Sequence, residues 1–179
     1  MTLLDNHDSF TFNLKHLLQV VTGQVPEVVS YADATASTIL DSPFLVISPG
    51  PGSPDDYPLY QALHQRTGSV LGVCMGMQVL NSVFGGLVEP LVGCCHGKTD
   101  SVHYGGKERV VARYHSLWCS KVAQDLDVLA ANRQGVPMVL RHRYRPFLGY
   151  QFHPESFLTE EPEFWIRHAM ESIGGPFGP

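Results

Sequence analysis

Phe44-Leu45-Val46-Ile47 is a continuous apolar run, closed at once by Ser48-Pro49-Gly50-Pro51-Gly52-Ser53-Pro54. Apolar residues without alternation make a strand covered on both faces. A segment dense in proline and glycine can continue neither as helix nor as ladder, so it forms a rigid loop at that strand's end. Val70-Leu71-Gly72-Val73 repeats the pattern, with a helix expected from Tyr57 to Arg66 between the two runs. Upstream, Met1 to Leu4 is apolar and ends in the turn formers Asp5-Asn6-His7-Asp8. From Ser9 the period becomes helical, with Phe10, Leu14, Leu17, Leu18 and Val21 on one face. Asp8 or Ser9 suits its N-cap and Gly23 its stop. Val25 to Tyr31 reads as a second strand, which Pro26 assigns to a sheet edge, and Thr35 to Leu40 as a short helix. Such alternation predicts an α/β fold with a largely parallel central sheet flanked by helices. Arg109–Tyr114, Asp127–Ala131, Pro137–Arg141 and Phe147–Phe152 read as short strands of an added small antiparallel sheet, followed by a helix from Glu160 to Ile173. One domain is expected over 1–173, with the Gly/Pro-rich residues 174–179 as an unordered tail.

Composition removes several function classes. Lys+Arg 12 against Asp+Glu 17 gives a net charge of −5, so no basic field exists to hold nucleic acid. No apolar run approaches the ~18 residues of a membrane span, and Asp5 and Asp8 come too early for a signal peptide. Four cysteines in 179 residues are too sparse for a disulfide scaffold, which points to a reducing, cytoplasmic compartment.

The chemistry-bearing residues lie in two segments. Gly72-Val73-Cys74-Met75-Gly76-Met77-Gln78 follows an apolar strand and opens a helix on which Met77, Leu80, Val83 and Phe84 recur. Gly-x-Cys-x-Gly in that context is the cysteine version of the nucleophile elbow. The unpaired N–H groups of a helix N-terminus favour a thiolate above it. A free cysteine is also commonly a small buried hydrophobe, and the pattern alone leaves both readings open. A thiolate nucleophile needs a base and an orienting partner. His153 can shuttle the proton and Glu155 can hold its imidazole. Cys94-Cys95-His96 with His115 and Cys119 lacks the usual zinc-ligand spacing, so no metal is expected. Arg141-His142-Arg143-Tyr144-Arg145 reads as a solvated turn.

The chain resembles the class I (triad) glutamine amidotransferases, specifically component II of anthranilate synthase and aminodeoxychorismate synthase. The matching segments are Leu4-Asp5-Asn6-His7-Asp8-Ser9-Phe10-Thr11, Val46 to Pro54 and Gly72 to Gln78. Phe84-Gly85-Gly86, His96-Gly97-Lys98-Thr99, Arg113-Tyr114-His115-Ser116-Leu117 and Gln151-Phe152-His153-Pro154-Glu155-Ser156 follow in family order. The resemblance implies Cys74 as nucleophile on the glutamine carboxamide, His153 as acid/base and Glu155 as its orienter. It implies oxyanion donors from the Gly50-Pro51-Gly52 loop and Met75, the loop's coming from its glycines because proline has no N–H. Gln78, Ser116 and Leu117 would hold the amino-acid end of L-glutamine. The implied reaction yields glutamate and ammonia through a γ-glutamyl thioester, needs no cofactor, and supplies a chorismate-binding synthase component I. The family usually has His where this chain has Met77, a change that could loosen the elbow helix. Between Tyr104 and Val111 the chain looks several residues shorter than its relatives. Two further readings remain: the glutaminase unit of GMP, CTP or carbamoyl-phosphate synthesis, and a non-catalytic glutamine-sensing or structural subunit.

Overall fold

The structure, a computed structural model, describes residues 1–91 and 97–175. In chain order its strands are β1 (Thr2–Asp5), β2 (Glu27–Ser30), β3 (Phe44–Ile47), β4 (Ser69–Val73), β5 (Leu87–Pro90) and β6 (Lys98–Tyr104). There follow β7 (Lys107–Arg113), β8 (Leu117–Lys121), β9 (Leu126–Ala131), β10 (Pro137–His142) and β11 (Phe147–Tyr150). The α-helices are α1 (Thr11–Thr22), α2 (Ala36–Asp41), α3 (Met75–Val83) and α4 (Pro162–Ile173). Seven strands form the central sheet in the order β2-β1-β3-β4-β11-β10-β9. The first five run parallel to one another, and β10 and β9 complete the sheet antiparallel.

Side chains of successive strand residues point to opposite faces, and both faces are covered. Leu3, Val46, Leu71 and Val73 pack with Leu14 and Leu18 of α1 and with Trp165, Ile166 and Ala169 of α4. The alternate residues Leu4, Leu45, Ile47 and Val70 pack with Ile39 of α2 and with Val79, Leu80 and Val83 of α3. Two-sided burial is why these strands carry unbroken apolar runs.

The α/β expectation holds, and several details differ. Phe147–Phe152 was expected in the antiparallel addition. It instead supplies β11, an interior strand parallel to β4 with Tyr150 opposite Val73. β9 and β10 extend the main sheet, and the separate antiparallel pieces are the ribbons β5–β8 and β6–β7. Tyr57–Arg66 is not an α-helix but a 3₁₀ helix over Pro58–Gln65, preceded by another at Pro54–Asp56. Its buried residues Tyr60 and Leu63, with the buried caps Tyr57 and Arg66, recur every third position, the period at which 3₁₀ side chains eclipse. Phe10 is the N-cap of α1, and Asp8 contributes by accepting the Phe10 N–H at 2.8 Å. Gly23, at φ 71°, ends the helix as expected. Between Tyr104 and Lys107 the chain makes a hairpin turn through Gly105 and Gly106, at φ 62° and 75°; two consecutive positive φ values suit a two-residue turn. Of the expected tail, Gly174 and Gly175 cap α4 by turning their N–H groups back on the Met170 carbonyl. Residues 176–179 lie outside the described residues. The Arg141–Arg145 turn is less solvated than expected. His142 is buried, and Arg145 donates to the carbonyls of Leu63 and Arg66.

Candidate active site

The carboxyl ends of β1, β3, β4 and β11 share one edge of the sheet, where open α/β folds bind ligands. A pocket of about 490 Å³ lies there. Gly50, Gly52, Cys74, Met75, Gln78, Ser116, Leu117 and His153 all line it, and Glu155 sits behind His153. Strand order brings the Gly50–Gly52 loop, Cys74 and His153 together at this edge, and the β5–β8 ribbon adds Ser116 and Leu117.

Cys74 occupies the turn between β4 and α3 with φ 53° and ψ −102°. A non-glycine residue there stores roughly 1–3 kcal/mol of strain. The flanking glycines make the turn possible. A Cβ on Gly72 would overlap the backbone of Gly76, and one on Gly76 would lie 2.5 Å from the Ile47 carbonyl oxygen. The Cys74 N–H donates to the Tyr150 carbonyl at 2.7 Å, fastening the elbow to β11. Met77 packs inward from α3. Its side chain is buried with Cys119, Ala123, Leu126 and Leu140, against a face of Gly149 that has no room for a Cβ.

His153 follows β11 on the same edge. Its N–H donates to Ala112 O at 3.1 Å, and its carbonyl accepts from Thr159 Oγ1 at 2.6 Å. Nδ1 lies 2.7 Å from Glu155 Oε1, with both side chains buried. Nε2 makes no hydrogen bond among the described residues. Burial disfavours the imidazolium, but the Glu155 carboxylate and then the Cys74 sulfur outweigh it, holding the His153 pKa well above its ordinary value. The rings of Phe10 and Tyr114 stand 5.3 Å and 4.9 Å from the imidazole.

The loop after β3 is tied by its carbonyls. Asn6 Nδ2 donates to Ser48 O at 2.9 Å, Ser48 Oγ to Pro49 O at 2.6 Å, and Tyr57 Oη to Pro51 O at 2.8 Å. The N–H groups of Gly50, Gly52 and Met75 have no partner among the described residues, so they are available to an oxyanion.

On the opposite wall, Gln78 Nε2 donates to Leu117 O at 3.0 Å and to Gln151 Oε1 at 3.2 Å. Gln151 Nε2 in turn approaches the Cys74 sulfur at 3.8 Å. Leu117 O also accepts from His115 Nδ1 at 2.8 Å, while His115 Nε2 accepts from Arg113 Nε at 3.0 Å. Sequence reasoning assigned no role to Gln151, Tyr57 or Arg113, and weighed His115 only as a zinc ligand. Gln151 and the Arg113–His115 pair lie within motif segments, the one available signal for them.

Cys94, Cys95 and His96 of the considered zinc set lie outside the described residues. His115 is already committed to Arg113 and Leu117, and burial pushes the Cys119 thiol up to about 12.

A cysteine on a strand-to-helix elbow, in one pocket with a carboxylate-held histidine and unpaired backbone N–H groups, has the parts that nucleophilic acyl chemistry needs on an α/β sheet. The chain belongs to the class-I glutamine amidotransferase family, whose model matches residues 2–172. It is 38% identical over 173 residues to the aminodeoxychorismate synthase of Streptomyces griseus, covering 89% of this chain and 24% of that protein. It is 35% identical over 188 residues to the aminodeoxychorismate/anthranilate synthase component 2 of Bacillus subtilis, covering 95% of each. The crystal structure of a putative GMP synthase protein from Thermoplasma acidophilum superposes with a TM-score of 0.83 at 21% identity, covering 97% of this chain and 94% of that one, a likeness of fold.

Proposed function

We propose that this chain hydrolyses L-glutamine to glutamate and ammonia through Cys74, His153 and Glu155, and passes the ammonia to a chorismate-using synthase component. The observation that carries the reading is the placement of Cys74 and His153 at the ends of adjacent parallel strands, in one pocket.

In this cycle the Glu155 carboxylate at Nδ1 favours the charged form of His153, and the Cys74 sulfur attacks as the thiolate, the nucleophilic form of a cysteine. The thiolate attacks the side-chain carbonyl carbon of glutamine. Gly50, Gly52 and Met75 N–H groups receive the charge on oxygen, and Gln78, Ser116 and Leu117 hold the amino-acid end. His153 gives its proton to the leaving nitrogen, so ammonia departs and a γ-glutamyl thioester remains. Neutral His153 then takes a proton from water, whose oxygen attacks the thioester, and the thiolate–imidazolium pair is restored with glutamate released. Glu155 orients the ring throughout. The new γ-carboxyl gives its proton to solvent, which protonates the departed ammonia.

The relatives named for chorismate-using synthases support component I as the partner. Their identity exceeds that of the GMP-synthase likeness, which speaks only to fold. Free Cys74 and Cys119 fit a reducing, cytoplasmic setting, and no helix among the described residues is long and apolar enough to cross a membrane. Residues 1–173 act as one glutaminase unit in this reading. The test is reconstitution with such a synthase. Cys74→Ser should abolish glutamine-dependent product while leaving ammonia-dependent product intact, and glutamine-dependent turnover by that variant would overturn the assignment.

A further inference from the structure

The N–H and C=O of a trans peptide point in opposite directions. A tied carbonyl therefore aims the N–H of the same peptide away from the tie. In the loop after β3, the peptide between Pro49 and Gly50 is tied by the adjacent Ser48 hydroxyl. The peptide between Pro51 and Gly52 is at the tip, and the side chain that holds it comes from outside the loop: Tyr57. The Tyr57 ring is buried against Tyr31, with ring centroids 4.9 Å apart, and lies in a second cavity with Val79 and Val83 rather than in the Cys74 pocket. Gly50 and Gly52 do line the Cys74 pocket. With the Pro51 carbonyl drawn to Tyr57, the Gly52 N–H points away from Tyr57, and Gly52 itself lines the Cys74 pocket. Gly52 sits at φ 74°, a region that glycine shares readily with its alternatives, so nothing in its own backbone preference keeps that peptide from rotating. A Cβ on Gly50 would lie 3.1 Å from the Tyr57 hydroxyl oxygen and closer still to Asn6, so the absence of a side chain there keeps Tyr57 within reach.

We propose that Tyr57 is a positioning residue: its hydroxyl latches the Pro51–Gly52 peptide so that the Gly52 N–H meets the oxyanion formed on Cys74. The proposal rests on the Cys74 reading above. Its consequence is selective, because a latch on an oxyanion donor affects states that carry the oxyanion and spares those that do not.

Tyr57→Phe removes one oxygen and keeps the ring packing. Two probes separate the effects. Iodoacetamide alkylates the thiolate by displacing iodide and forms no oxyanion. Glutamate γ-semialdehyde adds to the thiol as a thiohemiacetal whose oxygen occupies the donor site. In the variant, alkylation of Cys74 should stay within about twofold of wild type, while affinity for the semialdehyde and glutaminase kcat each fall on the order of tenfold at unchanged KM. Equal semialdehyde affinity in both proteins overturns the latch alone, as does a parallel loss of alkylation, which would mark a general disturbance of the site. A wild-type protein in which neither probe reacts at Cys74 overturns the nucleophile assignment, and the latch with it.

Discussion

Lowering the pH from 7 to 5 should destabilise this fold through His115, by an amount its surroundings fix. His115 is 4% exposed. Its Nε2 faces an Arg113 N–H, which can only donate, so that nitrogen must be the unprotonated one. Protonation would set two donors against each other. Burial is the largest effect, and the Arg113 guanidinium and His153 add to it. The Leu117 carbonyl and Asp100 oppose, leaving the pKa at about 4 against 6.5 for a free imidazole. Between those values the unfolded chain takes up a proton that the folded one refuses. Stability is therefore present above about 6.5 and lost as the pH falls towards 4. Linkage over a folded value near 4 and an unfolded value near 6.5 gives a loss of about 2 kcal/mol between pH 7 and pH 5. His168, caged by Tyr104 and Tyr150 and also held down at about 4, acts in the same direction. The assay is therefore urea unfolding of wild type and His115→Gln at both pH values. The stability lost by wild type between them should exceed that lost by the variant by about 2 kcal/mol. Parallel losses would refute the neutral, Arg113-facing imidazole.

Two further substitutions test the site's construction. Gly76→Ala places a methyl against the Ile47 carbonyl. It should cost about 1–3 kcal/mol in thermal or urea unfolding and displace the elbow enough to suppress glutaminase turnover. Gln151→Leu keeps the volume but removes the donor at the Cys74 sulfur and the acceptor for Gln78. It should slow iodoacetamide alkylation of Cys74 and lower kcat/KM by roughly tenfold, as loss of a hydrogen bond to a charged group would; an unchanged alkylation rate would detach Gln151 from the nucleophile.

What could be read in the sequence was what adjacent residues decide together. The Gly72–Gly76 segment states a tight strand-to-helix turn because both glycines are sterically required, and His153-Pro154-Glu155 carries its ion pair within three residues. Long-range choices were not legible. Nothing local in Phe147–Tyr150 says that its neighbour is β4 rather than another antiparallel strand, since pairing is settled by tertiary packing. The contacts from Gln151 to Cys74 and from Tyr57 to Pro51 depend on that same assembly. The 3₁₀ helix was legible in principle. Its inward residues repeat every three positions after Pro58, a spacing close enough to an α-helical face to be mistaken for one.

The central claim is that Cys74 attacks the glutamine carboxamide, and the most direct test is covalent capture with a diazoketone analogue of glutamine. Cys74, Cys94 and Cys95 fall on one tryptic peptide, Thr67–Lys98, so the modified residue must be read from fragment ions. One adduct per chain is expected, on Cys74, with labelling slowed by added glutamine. Labelling on Cys94, Cys95 or Cys119 with Cys74 unmodified would contradict it.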